Sequence, residues 1–212
     1  MIKEARQFVV LFAFFTVVLW ILSLVYNSFL LLSFVIFFCI LTLLLVNFFR
    51  DPQRKIKKDD SFLFSPADGR IFDIIETKES YCIKIFISIF DVHIQRAPVD
   101  CSIKDISYKP GKFLPAGKIF SGNFNEKNII ELETKDKDKL IITQIAGILA
   151  RRIVCWVKKG GFVSQGDKIG AILLGSQVNF EFPKDKYMIL VKNKQKVFAG
   201  ITVVAVKNKF LQ

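Results

Sequence analysis

Hydrophobic positions follow two different patterns along this chain. Between Arg6 and Arg50 lie 43 residues without one Asp, Glu, Lys, Arg or His. A transmembrane helix needs about 20 apolar residues, so the run is long enough for two. Its one weak point, Tyr26-Asn27-Ser28, predicts the turn between them. A secretory signal peptide has an apolar core of only about 7–15 residues and a small-residue cleavage site, so this run is not one. From Phe62 onward the period is two. Ile83, Ile85, Ile87 and Ile89 alternate with Cys82, Lys84, Phe86, Ser88 and Phe90, which predicts a strand with one strongly buried face. Two β-rich runs, Ile129–Thr134 and Leu140–Ile145, flank the charged tip Lys135-Asp136-Lys137-Asp138-Lys139 as in a hairpin. Val178, Phe180 and Phe182 alternate with Gln177, Asn179 and Glu181. Tyr187–Val191 and Val197–Val206 predict a last strand pair around an Asn-Lys-Gln turn, and only Ile148–Val157 reads as a short helix.

These elements predict a mainly β fold, a compact barrel or sandwich with many turns, behind a two-helix transmembrane or re-entrant hairpin. The expected divisions are a membrane hairpin over 1–49, a basic linker over 50–60 that makes few contacts, and a β domain over 61–212.

Composition sharpens this picture. Of the 212 residues, 52% are hydrophobic and 23 are Phe, above the roughly 45–50% usual for a soluble domain, and the excess sits in the apolar run. An ordinary cytosolic enzyme, a disordered chain and a disulfide-stapled secreted domain are excluded. The net charge is +12, nearly all of it beyond the run, which suits an anionic partner. With a membrane segment in the same chain, an acidic membrane surface fits better than nucleic acid, for which no aromatic-basic stacking motif is present. Lys3 and Arg6 precede the run, while Arg50, Arg54, Lys55, Lys57 and Lys58 follow it, so both ends belong on the cytoplasmic side.

The cysteines, Cys39, Cys82, Cys101 and Cys155, show no ligand spacing, and with a single histidine no metal site is expected. They read as free thiols.

Gly160 through Gly170 resembles half of a biotinyl- or lipoyl-carrier domain, where glycines supply positive-φ corners. A carrier needs a modified lysine on a hairpin tip, which is not visible here, so the resemblance bears on architecture. Three other stretches carry possible chemistry. Ser65-Pro66-Ala67-Asp68-Gly69 ends an apolar run, and alone its Asp68 reads as a turn-former. Phe90 through Pro98 holds His93, the one side chain here that titrates near neutral pH unaided. Leu173-Leu174-Gly175-Ser176 joins two strands.

Together, and in this order, they resemble the phosphatidylserine decarboxylase family, in its small form. Ser65–Gly69 matches the family's SPADG, Asp91–Pro98 its DxHxxRxP segment, and Gln144–Gly147 through Ala150–Ile153 its QIAG…ARRI segment. Gly166–Gly170 followed by Gly175-Ser176 matches its G-[DE]-x-x-G…GS end. Larger bacterial members carry a second histidine where this chain has Arg96; small-form members share the single-histidine pattern.

The resemblance implies a self-cleaving proenzyme without a metal. Ser176 Oγ would attack the Gly175 carbonyl, and β-elimination would release a 1–175 chain, leaving a pyruvoyl group on a 176–212 chain as the covalent cofactor. The two chains would stay together as a heterodimer. Ser176 needs a base, and His93 oriented or charged by Asp68 is the assignment. The pyruvoyl carbonyl would then form a Schiff base with phosphatidylserine, lose carbon dioxide and yield phosphatidylethanolamine at the cytoplasmic face of the cell membrane. Arg96, Arg151 and Arg152 are candidates for the substrate's phosphodiester and carboxylate, or else are solvated charges. The rival readings are a membrane-anchored carrier or adaptor domain without catalysis, and a decarboxylase of a related ether lipid.

Overall fold

The apolar run and the alternating region build different structures, because one hydrogen-bonds its backbone within each segment and the other between segments. The computed structural model describes residues 3–114, 124–147, 152–173 and 176–208, with the backbone alone at 3–5, 152 and 173. The chain forms two units, Met1–Gln53 and Arg54–Gln212.

The first unit is the helix pair α1 (Lys3–Tyr26) and α2 (Phe29–Phe48), broken at the expected turn. Asn27 takes φ 43°, a left-handed conformation that asparagine tolerates, and Ser28 caps α2 in an extended conformation. Phe12 and Phe38 meet across the pair with ring centroids 6.0 Å apart. By length and composition both helices are apolar enough to cross a membrane.

The second unit is β. Its strands are β1 (Phe62–Phe64), β2 (Gly69–Glu76), β3 (Ser80–Ile87), β4 (Ile94–Arg96), β5 (Cys101–Lys109), β6 (Lys127–Thr134), β7 (Lys139–Ala146), β8 (Arg152–Cys155), β9 (Phe162–Val163), β10 (Lys168–Leu173), β11 (Ser176–Pro183), β12 (Tyr187–Ile189), β13 (Lys196–Val197) and β14 (Val203–Lys207). They form an eight-stranded sheet in the order β13-β2-β3-β11-β7-β6-β5-β9 and two three-stranded sheets, β4-β10-β8 and β1-β14-β12. The strand pairs are antiparallel.

The core follows the predicted alternation. Ile83, Ile85 and Ile87 of β3, Val178, Phe180 and Phe182 of β11, and Leu140 and Ile142 of β7 are fully buried. Burying each such side chain contributes roughly 1.5–3 kcal/mol. The 135–139 tip closes β6 onto β7, with Lys137 at φ 62°. Gly160 (φ 80°) and Gly166 (φ 85°) turn the corners that the carrier-like stretch implies.

Four details differ from the sequence reading. β3 stops at Ile87, and Ile89 is exposed in the following turn. The final strands do not simply pair with each other: β12 pairs with β14, while Val197 belongs to β13, which pairs with β2. The turn at 192–195 thus hands the chain to another sheet. Ile148–Val157 is no helix over its described part, because Ile153, Val154 and Cys155 extend as β8 against β10. Ten residues with adjacent β-branched side chains make a marginal helix, and a ready partner strand outweighs it. Finally, residues 54–60 are not free of contacts. Asp59 donates its amide to Gln165 Oε1 (2.8 Å), whose Nε2 returns a bond to the Asp59 carbonyl (3.2 Å), and Arg54 is bonded as described below.

Candidate active site

The chain changes sheets immediately before Ser176. β10 ends at Leu173 in a three-stranded sheet and β11 begins at Ser176 in the eight-stranded one, so the crossing takes only residues 174 and 175. Gly175, the expected other half of the cleavage site, lies outside the described residues. Ser176 continues the inward face of Val178, Phe180 and Phe182, opposite Ile87 of β3 and Ala146 of β7. It is fully buried, and its Oγ has no hydrogen-bond partner among the described residues. A buried polar atom left unbonded costs about 1–3 kcal/mol, so this hydroxyl calls for a chemical explanation.

His93 reaches the same end of the molecule from two directions. Ile87, which faces Ser176, lies six residues before it, and the short loop between is held by the Ser88 amide donating to Asp91 Oδ2 (3.0 Å). The His93 carbonyl accepts the amide of Ile172, four residues before Ser176, at 3.2 Å. The imidazole is fully buried.

A chain of buried amides fixes this region. Asn128 Nδ2 donates to Gln144 Oε1 (2.9 Å), Gln144 Nε2 to Gln95 Oε1 (2.8 Å), and Gln95 Nε2 to the His93 carbonyl (3.0 Å). It runs from β6 and β7 in the large sheet to β4 in a small one, joining the two sheets between which the chain crosses. The sequence reading assigned these three residues no role. The signal was available: Asn128 and Gln144 occupy inward positions of their alternations, in rows otherwise held by Ile130, Leu132 and Thr134 and by Leu140, Ile142 and Ala146.

Asp68 is buried in the turn before β2, and both its oxygens are held. Arg54 Nη2 pairs with Oδ2 at 2.7 Å, and the Ala199 amide donates to Oδ1 at 2.8 Å. The two charged side chains are 6% and 4% exposed, so this is an interior ion pair. The sequence reading expected Asp68 to orient or charge His93 and gave Arg54 no part in the site; the described partners of the Asp68 oxygens are Arg54 and the Ala199 amide.

The three arginines separate. Arg96 is buried, faces Lys168 at the far end of β10, and donates to the Gly166 carbonyl at 2.8 Å. Roughly 13 Å of strand lies between that register position and Ile172. Arg152 stands opposite Leu173, beside the sheet crossing. Arg151 lies outside the described residues. Arg96 lines instead a cavity of about 830 Å³ together with Arg54, Lys58, Trp156, Lys158 and Lys168.

Two of the cysteines are poor competitors for the role of nucleophile. Burial, reinforced by Asp100, pushes the Cys101 thiol up to about 12; burial and then Glu181 push Cys82 up to about 11. Both stay protonated at neutral pH.

Comparison with known proteins shows the family. The family model for phosphatidylserine decarboxylase matches residues 41–205. A phosphatidylserine decarboxylase proenzyme of Carboxydothermus hydrogenoformans is 42% identical over 172 residues, covering 78% of this chain and 80% of the relative. One of Geotalea uraniireducens is 36% identical over 209 residues, covering 96% and 94%. A Methanosarcina mazei protein, provisionally named an archaetidylserine decarboxylase proenzyme, is 43% identical over 169 residues, covering 79% and 78%. The chain belongs to the phosphatidylserine decarboxylase family.

Proposed function

We propose that this chain is made as a precursor that cuts itself before Ser176, and that the carbonyl formed there is the group that serves decarboxylation. The enzyme is a carboxy-lyase that converts phosphatidylserine to phosphatidylethanolamine. Loss of carbon dioxide from an α-amino acid leaves a carbanion that no ordinary side chain delocalises, so a carbonyl sink is required.

Ser176 provides it by chemistry on the chain itself. Oγ adds to the Gly175 carbonyl carbon while the Gly175–Ser176 C–N bond breaks, turning amide into ester and freeing the Ser176 amine. Loss of the Ser176 α-proton then expels the Gly175 carboxylate, releasing the 1–175 chain and leaving dehydroalanine. One water converts this to a pyruvoyl end and one ammonia. Once present, the pyruvoyl group would supply the sink for the electron pair left on the substrate's α-carbon when carbon dioxide departs. His93 takes the Oγ proton in the first step and returns a proton to the substrate's α-carbon in the last. Asp68 acts as the orienting acid, its carboxylate fixed by Arg54 and the Ala199 amide. Of the arginines, Arg152 has the register that favours contact with the substrate's anionic groups.

The cut chains remain a heterodimer in this reading, because β11 is hydrogen-bonded on both sides, to β3 and β7 of the other chain. The apolar hairpin holds the enzyme in an anionic membrane with the β unit on the cytoplasmic side, in line with the basic residues at both ends of the run.

The unbonded, buried Ser176 Oγ at the sheet crossing carries this reading. Intact-mass spectrometry tests it: the purified protein contains a 37-residue chain (176–212) blocked at its amino end, about 4 kDa of the 24.3 kDa total. Ser176→Ala stays one chain of full mass and is inactive; cleavage at 175–176 in that variant overturns the assignment. A carrier domain would run intact in both forms. The Methanosarcina relative favours a second reading of the lipid tail, an ether lipid with the same serine headgroup, which parallel assays on ester and ether substrates distinguish.

A further inference from the structure

Arg54, one wall residue of the cavity that Arg96 lines, supports Asp68, but the exposed cations around that cavity have no part in self-cleavage or in turnover at Ser176. Five cationic side chains line it, Arg54, Lys58, Arg96, Lys158 and Lys168, against one acidic residue, Asp167. Arg54 and Arg96 are buried in its wall and fixed by bonds to Asp68 and to the Gly166 carbonyl. Lys58, Lys158 and Lys168 are exposed around it, and Lys58 and Lys158 have no ion pair among the described residues. Because Asp68 neutralises Arg54, the excess positive charge rests on the exposed Lys58 and Lys158 at a concave space, which raises the local concentration of anions. The lining is also amphiphilic: Trp156 is half-buried and Phe162 is 60% exposed. Arg54 stands six residues after Phe48, the last residue of the apolar helix α2, so the wall follows the hairpin directly in the chain.

We propose that this cavity is a binding site for a phosphate-bearing anion, namely the headgroup of an anionic phospholipid, separate from the site at Ser176. The phosphodiester meets the lysines, and the start of the acyl region lies along Trp156 and Phe162. Its place at the Lys168 end of β10, the end remote from the sheet crossing, lets it hold a lipid that is not being turned over.

Trp156 gives a direct readout, since the chain's other tryptophan, Trp20, is in the hairpin. In the full-length chain carrying Trp20→Phe, in a neutral detergent, Trp156 emission is titrated with dihexanoyl phosphatidylglycerol and separately with inorganic phosphate. Sodium chloride at equal ionic strength is the control. A saturable change is expected with the lipid and none with chloride. Lys58→Gln with Lys158→Gln raises the midpoint roughly 30-fold, at about one basic contact's worth of lipid attraction each. Lys58→Arg with Lys158→Arg keeps the original midpoint, and both variants still cleave at Ser176, which shows that they fold. A lower midpoint for the lipid than for phosphate identifies the headgroup as the ligand; equal midpoints identify free phosphate and overturn the lipid assignment. No saturable change with either, or an unshifted midpoint in the Gln variant, overturns the site itself.

Discussion

At the scale of single residues, the Ser176 hydroxyl has no hydrogen-bond partner among the described residues. Replacing it with alanine removes none of the described bonds, so Ser176→Ala should fold as well as the parent, and its loss of cleavage then reports chemistry. Asp68 is different, because its side chain is tied into the structure. His93→Ala should accumulate full-length precursor, since the Oγ proton loses its acceptor. Asp68→Ala should do so as well, and with lowered stability: it strands the buried Arg54 guanidinium, and breaking one side of a buried pair costs about 3–5 kcal/mol. Pulse-chase cleavage together with thermal unfolding separates the two effects. Wild-type cleavage rates in both variants would remove His93 as base and Asp68 as its support.

At the scale of elements, the site depends on how closely β8, β10 and β7 approach one another. Gly170 has no positive φ; it is needed for space. A Cβ there would stand 2.4 Å from the Val154 carbonyl of β8 and 2.8 Å from Gln144 Nε2 of β7. Neither can step aside cheaply, since one is backbone and the other belongs to the buried amide chain. Gly170→Ala should therefore cost roughly 1–3 kcal/mol and lower Tm by several degrees, about 2–4 °C per kcal/mol at this size. Cleavage should slow with it, because the same displacement moves the β10 end that leads into Ser176. An unchanged Tm and rate would mean that β8 is free to shift. Much of this level could be read from the chain, since period-two patterning marked β3, β6, β7 and β11 with their inward faces, and ordered motifs singled out Asp68, His93 and Ser176, all three of which are buried. What escaped was partnership. Alternation says which face of a strand is buried but not which strand lies beside it, so β13 was paired wrongly and β8 taken for a helix. The Gln95–Gln144 bond and the Arg54–Asp68 pair join residues 49 and 14 positions apart, with no periodic trace of either.

For the whole molecule, the question is where the anchor ends and the enzyme begins. The two compact units divide after Gln53, but composition places the end of the basic stretch at Asp60, and the seven residues between carry the difference. Arg54 neutralises Asp68, Asp59 exchanges two bonds with Gln165, and Ile56 fills the space over Gly166, where a Cβ would fall 1.9 Å from its Cδ1. Two truncations should therefore behave differently. Removing 1–49 leaves this strap in place. The β unit should fold and cleave itself, lose most activity on bilayer phosphatidylserine, and keep more on a short-chain soluble analogue, because the hairpin contributes localisation. Removing 1–60 takes away the cation from a buried carboxylate. The cost of about 3–5 kcal/mol is a large share of the roughly 5–15 kcal/mol that holds a domain folded. That protein should unfold at lower denaturant and accumulate uncut chain. Restoring residues 54–60 alone should recover cleavage without restoring bilayer activity, since it returns the ion pair but not the anchor. Equal maturation of the two truncations would show that the strap only tethers, whereas failure of both would make the apolar helices part of the enzyme's fold.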